Sequence, residues 1–212
     1  MLILDFDGTI TDVWYRFYRV FQDYWNIQGL TFDQYKTCKK VLTDDKNLLV
    51  HLTREPERLG SYEVYREFKR ESLEKQDYLA YDVLILDSTL LEKISDYIVL
   101  TYRRSEKNYL SQLKNLGLYD LFFDRSVILD PEKQITKKEW LLKNISLKEF
   151  DMGRVGIIGD SEADLEAGLS IGAEVFLVKT GLREAERLLE GVSKSDGVTI
   201  VRNVNGFLQT WS

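Results

Sequence analysis

The chain has 212 residues, 44% of them apolar and 30% charged, the balance of a globular protein with room for one core domain and a sizeable insertion. A net charge of −6 speaks against nonspecific nucleic-acid binding, which relies on clustered lysine and arginine. One cysteine, Cys38, and one histidine, His51, exclude an internal disulfide and the usual Cys/His zinc sites, and leave no nucleophile motif for a histidine-dependent triad. The pattern shows neither a charged leader nor an apolar run of bilayer length, which predicts a cytoplasmic protein with no membrane partner.

In chain order, an apolar strand (Leu2 to Leu4) runs into Asp5-Phe6-Asp7 and is broken by Gly8 and Thr9. Trp14, Phe17, Tyr18, Phe21 and Trp25 then recur at helical spacing, an aromatic stripe whose simplest reading is core packing. Helical patterns continue from Thr31 to about Ala80, with Pro56 and Gly60 marking a connection, so the segment 13–82 reads as an all-helical insertion. From about Val83 strands and helices alternate. Strands are expected at Tyr97–Thr101, within Phe122–Leu129, and at Arg154–Gly159, Val175–Val178 and Val198–Val201. Helices are expected at Ser105–Leu116, Thr136–Asn144, Glu162–Ile171, Arg183–Leu189 and Gly206–Trp211. Strands joined by single helices imply right-handed crossovers and an α/β, Rossmann-like, doubly wound parallel sheet, formed by residues 1–12 and 83–212.

A buried strand that delivers Asp5 and Asp7 to its carboxyl end sets like charges side by side. At about 4 Å and an effective dielectric near 20 they repel by about 4 kcal/mol, which a hard divalent cation such as Mg²⁺ offsets. Four further features are candidates to join them. Thr101 ends the YIVLT strand, where a hydroxyl beside free backbone N–H groups suits a phosphoryl oxygen, although threonine commonly ends strands. Lys137 or Lys138 opens a helix and supplies a cation, unless it is one of the solvated surface lysines. Asp160 and Asp164 follow the apolar strand RVGIIG across a turn and can complete an oxygen shell, and the competing reading of Ser161 and Asp164 is a helix capping box. Arg103 and Arg104 follow Thr101, and one could meet an anionic substrate, although a loop pair of this kind more often faces solvent.

Other loops fail. A calcium-binding loop begun at Asp5 requires glycine and glutamate where Ile10 and Arg16 stand, and neither GxxxxGK[ST] nor GxGxxG occurs.

The ordered set of DFDGT, a strand-terminal Thr101, a lysine and GDSEAD resembles the haloacid dehalogenase superfamily, in its phosphoglycolate-phosphatase-like branch with a helical cap between the first and second motifs. The resemblance implies an Mg²⁺-dependent phosphatase. Asp5 would be the nucleophile, Asp7 the acid and base, and Thr101 and the lysine the phosphoryl-binding groups. Mg²⁺ would be held by Asp5, the backbone carbonyl of Asp7 and Asp160, with Asp164 as ligand or support. Leu141 one turn after Lys137 matches the family's helix better than the alternative with Lys138. The cap would close over the site, with Trp14, Tyr15, Arg16, Arg19, His51 and Arg54 as specificity candidates. A small phosphorylated metabolite is the expected partner, no nucleic acid is, and the motifs leave the oligomeric state open. They also leave open a phosphomutase and a noncatalytic scaffold that keeps the fold.

Overall fold

The computed structural model describes residues 1–42, 44–145, 154–190 and 197–211. The chain divides into two compact units, Met1–Asp12 with Val83–Ser212, and Val13–Asp82. In chain order the first elements are β1 (Leu2–Leu4), β2 (Thr11–Asp12), α1 (Trp14–Trp25), α2 (Phe32–Val41), α3 (Asp45–Thr53), α4 (Tyr62–Ser72) and α5 (Gln76–Leu79). There follow β3 (Val83–Leu84), β4 (Tyr97–Tyr102), α6 (Glu106–Asn115), α7 (Tyr119–Phe122), β5 (Ser126–Leu129) and α8 (Lys137–Asn144). The described chain ends with β6 (Gly156–Gly159), α9 (Glu162–Ser170), β7 (Glu174–Val178), α10 (Ala185–Leu188), β8 (Val198–Val201) and α11 (Val204–Leu208).

Six strands form one parallel sheet in the order β5-β4-β1-β6-β7-β8. This is a Rossmann-like, doubly wound α/β fold. β1 lies at its centre, with Leu4 in register with Val99 of β4 and Ile158 of β6. The alternation of a strand divides its side chains between two cores. Leu2, Leu4 and Phe6 pack with Tyr109 and Leu113 of α6 and Phe207 of α11. Ile3 belongs to the opposite core, with Leu141 of α8 and Ala167 of α9. Burial on both faces explains why β1 and β6 read as continuous apolar runs.

Two differences from the sequence reading have local causes. β2 and β3 pair antiparallel over two residues each, too short for any periodicity to announce them. The last helix starts at Val204 rather than Gly206, because the Asn203 side chain accepts from the Gly206 N–H at 2.9 Å and caps it.

In the helical unit, Trp14, Tyr18, Phe21 and Trp25 of the aromatic stripe are buried, and Phe17 is half-buried. Two ionic groups are buried with them. Arg16 pairs with Asp82 at 3.2 Å and donates to the Leu73 carbonyl. Asp45 accepts from Lys39, from Lys69 at 2.6 Å and from the Tyr65 hydroxyl at 2.7 Å. Of the specificity candidates, Trp14 and Arg16 are therefore interior side chains of this unit, whereas Tyr15, His51 and Arg54 are exposed. No helix among the described residues is long and apolar enough to cross a membrane.

Candidate active site

The carboxyl edge of the central strands gathers the acidic residues. Asp5 directly follows β1, and its N–H donates to the Ile158 carbonyl of the neighbouring strand at 2.9 Å. Asp160 directly follows β6, and Asp164 lies in the first turn of α9. Carboxylate oxygens of Asp5, Asp160 and Asp164 lie within 4.8 Å of one another. The Asp7 carboxylate is outside this group.

Lys137 is the cation among them. It is 3% exposed, and its Nζ donates to Asp5 Oδ1 at 2.5 Å and to Asp164 Oδ1 at 2.7 Å. Thr136 caps α8 through a capping box with Glu139, and the Tyr102 hydroxyl accepts from the Lys137 N–H at 2.9 Å. These contacts fix the first turn of α8 so that Lys137 points inward. Lys138, one position on, pairs with Glu166 at the surface.

Asp164 also serves its own helix. Its Oδ2 accepts from the Ser161 N–H at 3.1 Å and from the Ser161 hydroxyl at 2.5 Å, while Oδ1 faces Lys137. One oxygen therefore caps the helix while the other faces Lys137.

Burial raises the proton affinity of Asp5 and Asp160. It pushes the Asp5 carboxyl up to about 7, against the pull of Lys137 and with the further push of Asp164. Asp160 is also held well above the ordinary carboxylate range, by burial first and then by the charges of Asp5 and Asp164. Burial opposes the charge of Lys137, but Asp164 and Asp5 outweigh it and raise its pKa above the usual lysine value.

Two glycines make room for Asp160. Gly8 sits at φ +80°, and a Cβ there would lie 2.3 Å from Asp160 Oδ2. At Gly181 a Cβ would lie 2.1 Å from the same oxygen. The loop that carries Gly181 is tied down on both sides. Thr180 donates its hydroxyl to the Gly8 carbonyl at 2.6 Å, and the Leu182 N–H donates to Asp160 Oδ2 at 3.2 Å.

Residues 2–178 match the family model of the haloacid dehalogenase-like hydrolases. The chain belongs to that family.

Solved structures of the same fold agree along the whole chain. A haloacid dehalogenase-like hydrolase from Streptococcus pneumoniae superposes with a TM-score of 0.62 at 15% identity, covering 100% of this chain and 97% of that one. A protein described as a predicted phosphatase from Clostridium acetobutylicum gives 0.60 at 17% identity, with 99% and 96% covered. A protein from Lactobacillus plantarum, provisionally named a phosphoglycolate phosphatase, gives 0.60 at 13% identity, with 99% and 98% covered. At such identities the likeness is one of fold. No curated protein matches the chain in sequence.

In this haloacid dehalogenase-like hydrolase, the remaining candidates fall as follows. Thr101 is buried near the end of β4, the strand next to β1. Arg103 overturns the expectation of a solvent-facing arginine pair. It is 3% exposed and donates from Nη2 to Asp7 Oδ1 at 2.7 Å, whereas Arg104 lies nearer the surface and pairs with Glu132. Its burial is explained by its neighbours: the guanidinium carbon stands 5.5 Å from the Phe6 ring centre and 5.6 Å from that of Tyr109. No local sequence pattern announces this burial, because Asp7, Phe6 and Tyr109 meet Arg103 only in the folded sheet.

Proposed function

We propose that this hydrolase is a phosphatase that releases phosphate from a small phosphorylated metabolite through an aspartyl-phosphate on Asp5. The observation that carries the reading is the Lys137 ammonium set between Asp5 and Asp164, with Asp160 alongside. One strand-end acid faces a buried cation and two more acids, which suits a nucleophile that must meet a dianionic phosphate.

The donor set fits Mg²⁺: three carboxylates supply hard oxygen ligands within 4.8 Å of one another. Asp5, Asp160 and the Asp7 backbone carbonyl would hold the ion, with Asp164 as ligand or support. Bound there, Mg²⁺ would offset the carboxylate charge and polarise the phosphoryl oxygens.

Lys137 and Thr101 bind the phosphoryl oxygens in this reading. An Asp5 oxygen attacks phosphorus, the bond to the leaving oxygen breaks with its electron pair, and Asp7 supplies the proton that makes it an alcohol. Water then attacks the phosphorus of the aspartyl-phosphate and Asp7 accepts its proton. Asp5 departs as the carboxylate, and inorganic phosphate is the product. An acid at Asp7 favours phosphate chemistry over dehalogenation. The phosphatase descriptions carried by two fold relatives support the same choice.

A negative chain with a single free cysteine suits a cytoplasmic enzyme of small metabolites better than a nucleic-acid enzyme. The test is phosphate release from a phosphometabolite panel with Mg²⁺, for the wild type and Asp5→Asn. Release by the wild type alone supports the reading. An isomerised phosphate ester in place of free phosphate makes the enzyme a phosphomutase, and a cellular function untouched by Asp5→Asn makes it a scaffold.

A further inference from the structure

Consecutive residues at the end of β4 serve opposite faces of the sheet. Tyr102 turns toward α8, where its hydroxyl accepts from the Lys137 N–H. Arg103 turns toward α6, where its Nη2 donates to Gln112 Oε1 at 3.1 Å as well as to Asp7 Oδ1 at 2.7 Å. Each aspartate of DFD thus has its own buried cation, Lys137 for Asp5 and Arg103 for Asp7.

We infer that Arg103 is a positioning residue for Asp7, holding its carboxyl group at the angle from which it exchanges protons with the reacting oxygens. The inference rests on the phosphatase reading above. Three restraints fix the guanidinium. Its backbone N–H donates to the Leu129 carbonyl at 2.9 Å and extends the β4–β5 ladder by one residue. The Phe6 and Tyr109 rings, edge-on to one another at 5.1 Å, offer it their faces. Gln112, 2% exposed on α6, orients the same Nη2 that meets Asp7. A guanidinium buried to this degree is costly unless a charge compensates it, so the geometry favours the paired position of Asp7. The pairing engages Oδ1 and leaves the Asp7 side chain 31% exposed.

Proton delivery matters most for a poor leaving group, and this separates positioning from simple structural support. The measurement is kcat/KM with Mg²⁺ on phenyl phosphate, which needs the proton, and on dinitrophenyl phosphate, which departs without it. Asp7→Asn serves as the reference. Arg103→Met is expected to lose about 100-fold on phenyl phosphate, roughly tenfold or more beyond its loss on dinitrophenyl phosphate. Arg103→Lys recovers part of the difference, and Gln112→Leu shows a smaller effect of the same kind and carries the test if Arg103→Met does not fold. Equal losses on the two substrates, in variants that fold, overturn the inference. If the wild type hydrolyses neither ester, the phosphatase reading fails, and the crystal structure of Arg103→Met decides this one. An Asp7 carboxylate displaced by about 1 Å or more supports it, and an unmoved carboxylate overturns it.

Discussion

The ammonium of Lys137 lies 2.5 Å from Oδ1 of Asp5, although 132 positions separate them in the chain. The contact joins the first turn of α8 to the end of β1, and a second, at 2.7 Å, joins the same nitrogen to Asp164. One cation therefore answers two of the three buried acids.

Removing that cation leaves carboxylates buried without compensation. Lys137→Met is expected to lower stability by about 3–5 kcal/mol at neutral pH and to abolish most activity. The loss shrinks toward pH 5, where Asp5 takes up a proton instead. Lys138→Met, at an exposed pair with Glu166, should change stability by less than about 0.5 kcal/mol. Thermal melts of the two variants at both pH values check the contrast, and equal losses contradict it.

The raised pKa of Asp5 has a definite sign. A carboxyl shifted up to about 7 by folding favours the native state most when protonated. Without a divalent ion, the stability it contributes is complete below about pH 4, its unfolded value, and declines as the pH rises toward 7. Mg²⁺ bound there would reverse the trend, since a carboxylate ligand must be deprotonated and binding would release its proton. Mg²⁺ affinity should rise roughly tenfold between pH 6 and pH 8 by titration calorimetry. An affinity independent of pH counts against the site.

The Asp45 cluster predicts acid sensitivity of the helical unit. Burial alone would raise its carboxyl, but Lys69 and Lys39 outweigh burial and hold it below the ordinary carboxylate range. Its contribution to stability is complete above about pH 4 and is lost as the pH falls through the lowered value. Asp45→Asn should cost about 3–5 kcal/mol at pH 7 by urea unfolding, and less in acid. A neutral effect at pH 7 contradicts the cluster's role.

Gly181 is held to glycine by Asp160. With a Cβ 2.1 Å from Asp160 Oδ2, Gly181→Ala must displace the carboxylate or the loop. The expected cost is about 1–3 kcal/mol in stability and a roughly 10- to 100-fold loss of Mg²⁺ affinity. Unchanged affinity in the folded variant shows that this loop does not position Asp160.

Much of the fold is legible because β1 and β6 are buried on both faces and run directly into acids. The DFDGT and RVGIIGDSEAD segments show a strand, a turn and a carboxylate in order, and β1 and β6 pair side by side. Lys137 and Lys138 were harder to separate. They differ by about 100° around one helix, and the Tyr102 hydroxyl that fixes the rotation lies 35 positions away in the chain. Arg103 escapes the sequence for a related reason. An arginine is expected in solvent unless a charge and apolar walls await it, and Asp7, Phe6 and Tyr109 come together only in the folded sheet. Asp164 carried two plausible readings because its two oxygens do two things.

The most direct test of the central claim is phosphate release from phenyl phosphate with Mg²⁺ by the wild type and by Asp5→Asn. The variant keeps the shape of the side chain and removes the nucleophilic oxygen's charge. A wild-type rate reduced about 1,000-fold or more in Asp5→Asn, with the melting transition retained, is the predicted result. Equal rates in the two proteins contradict the account.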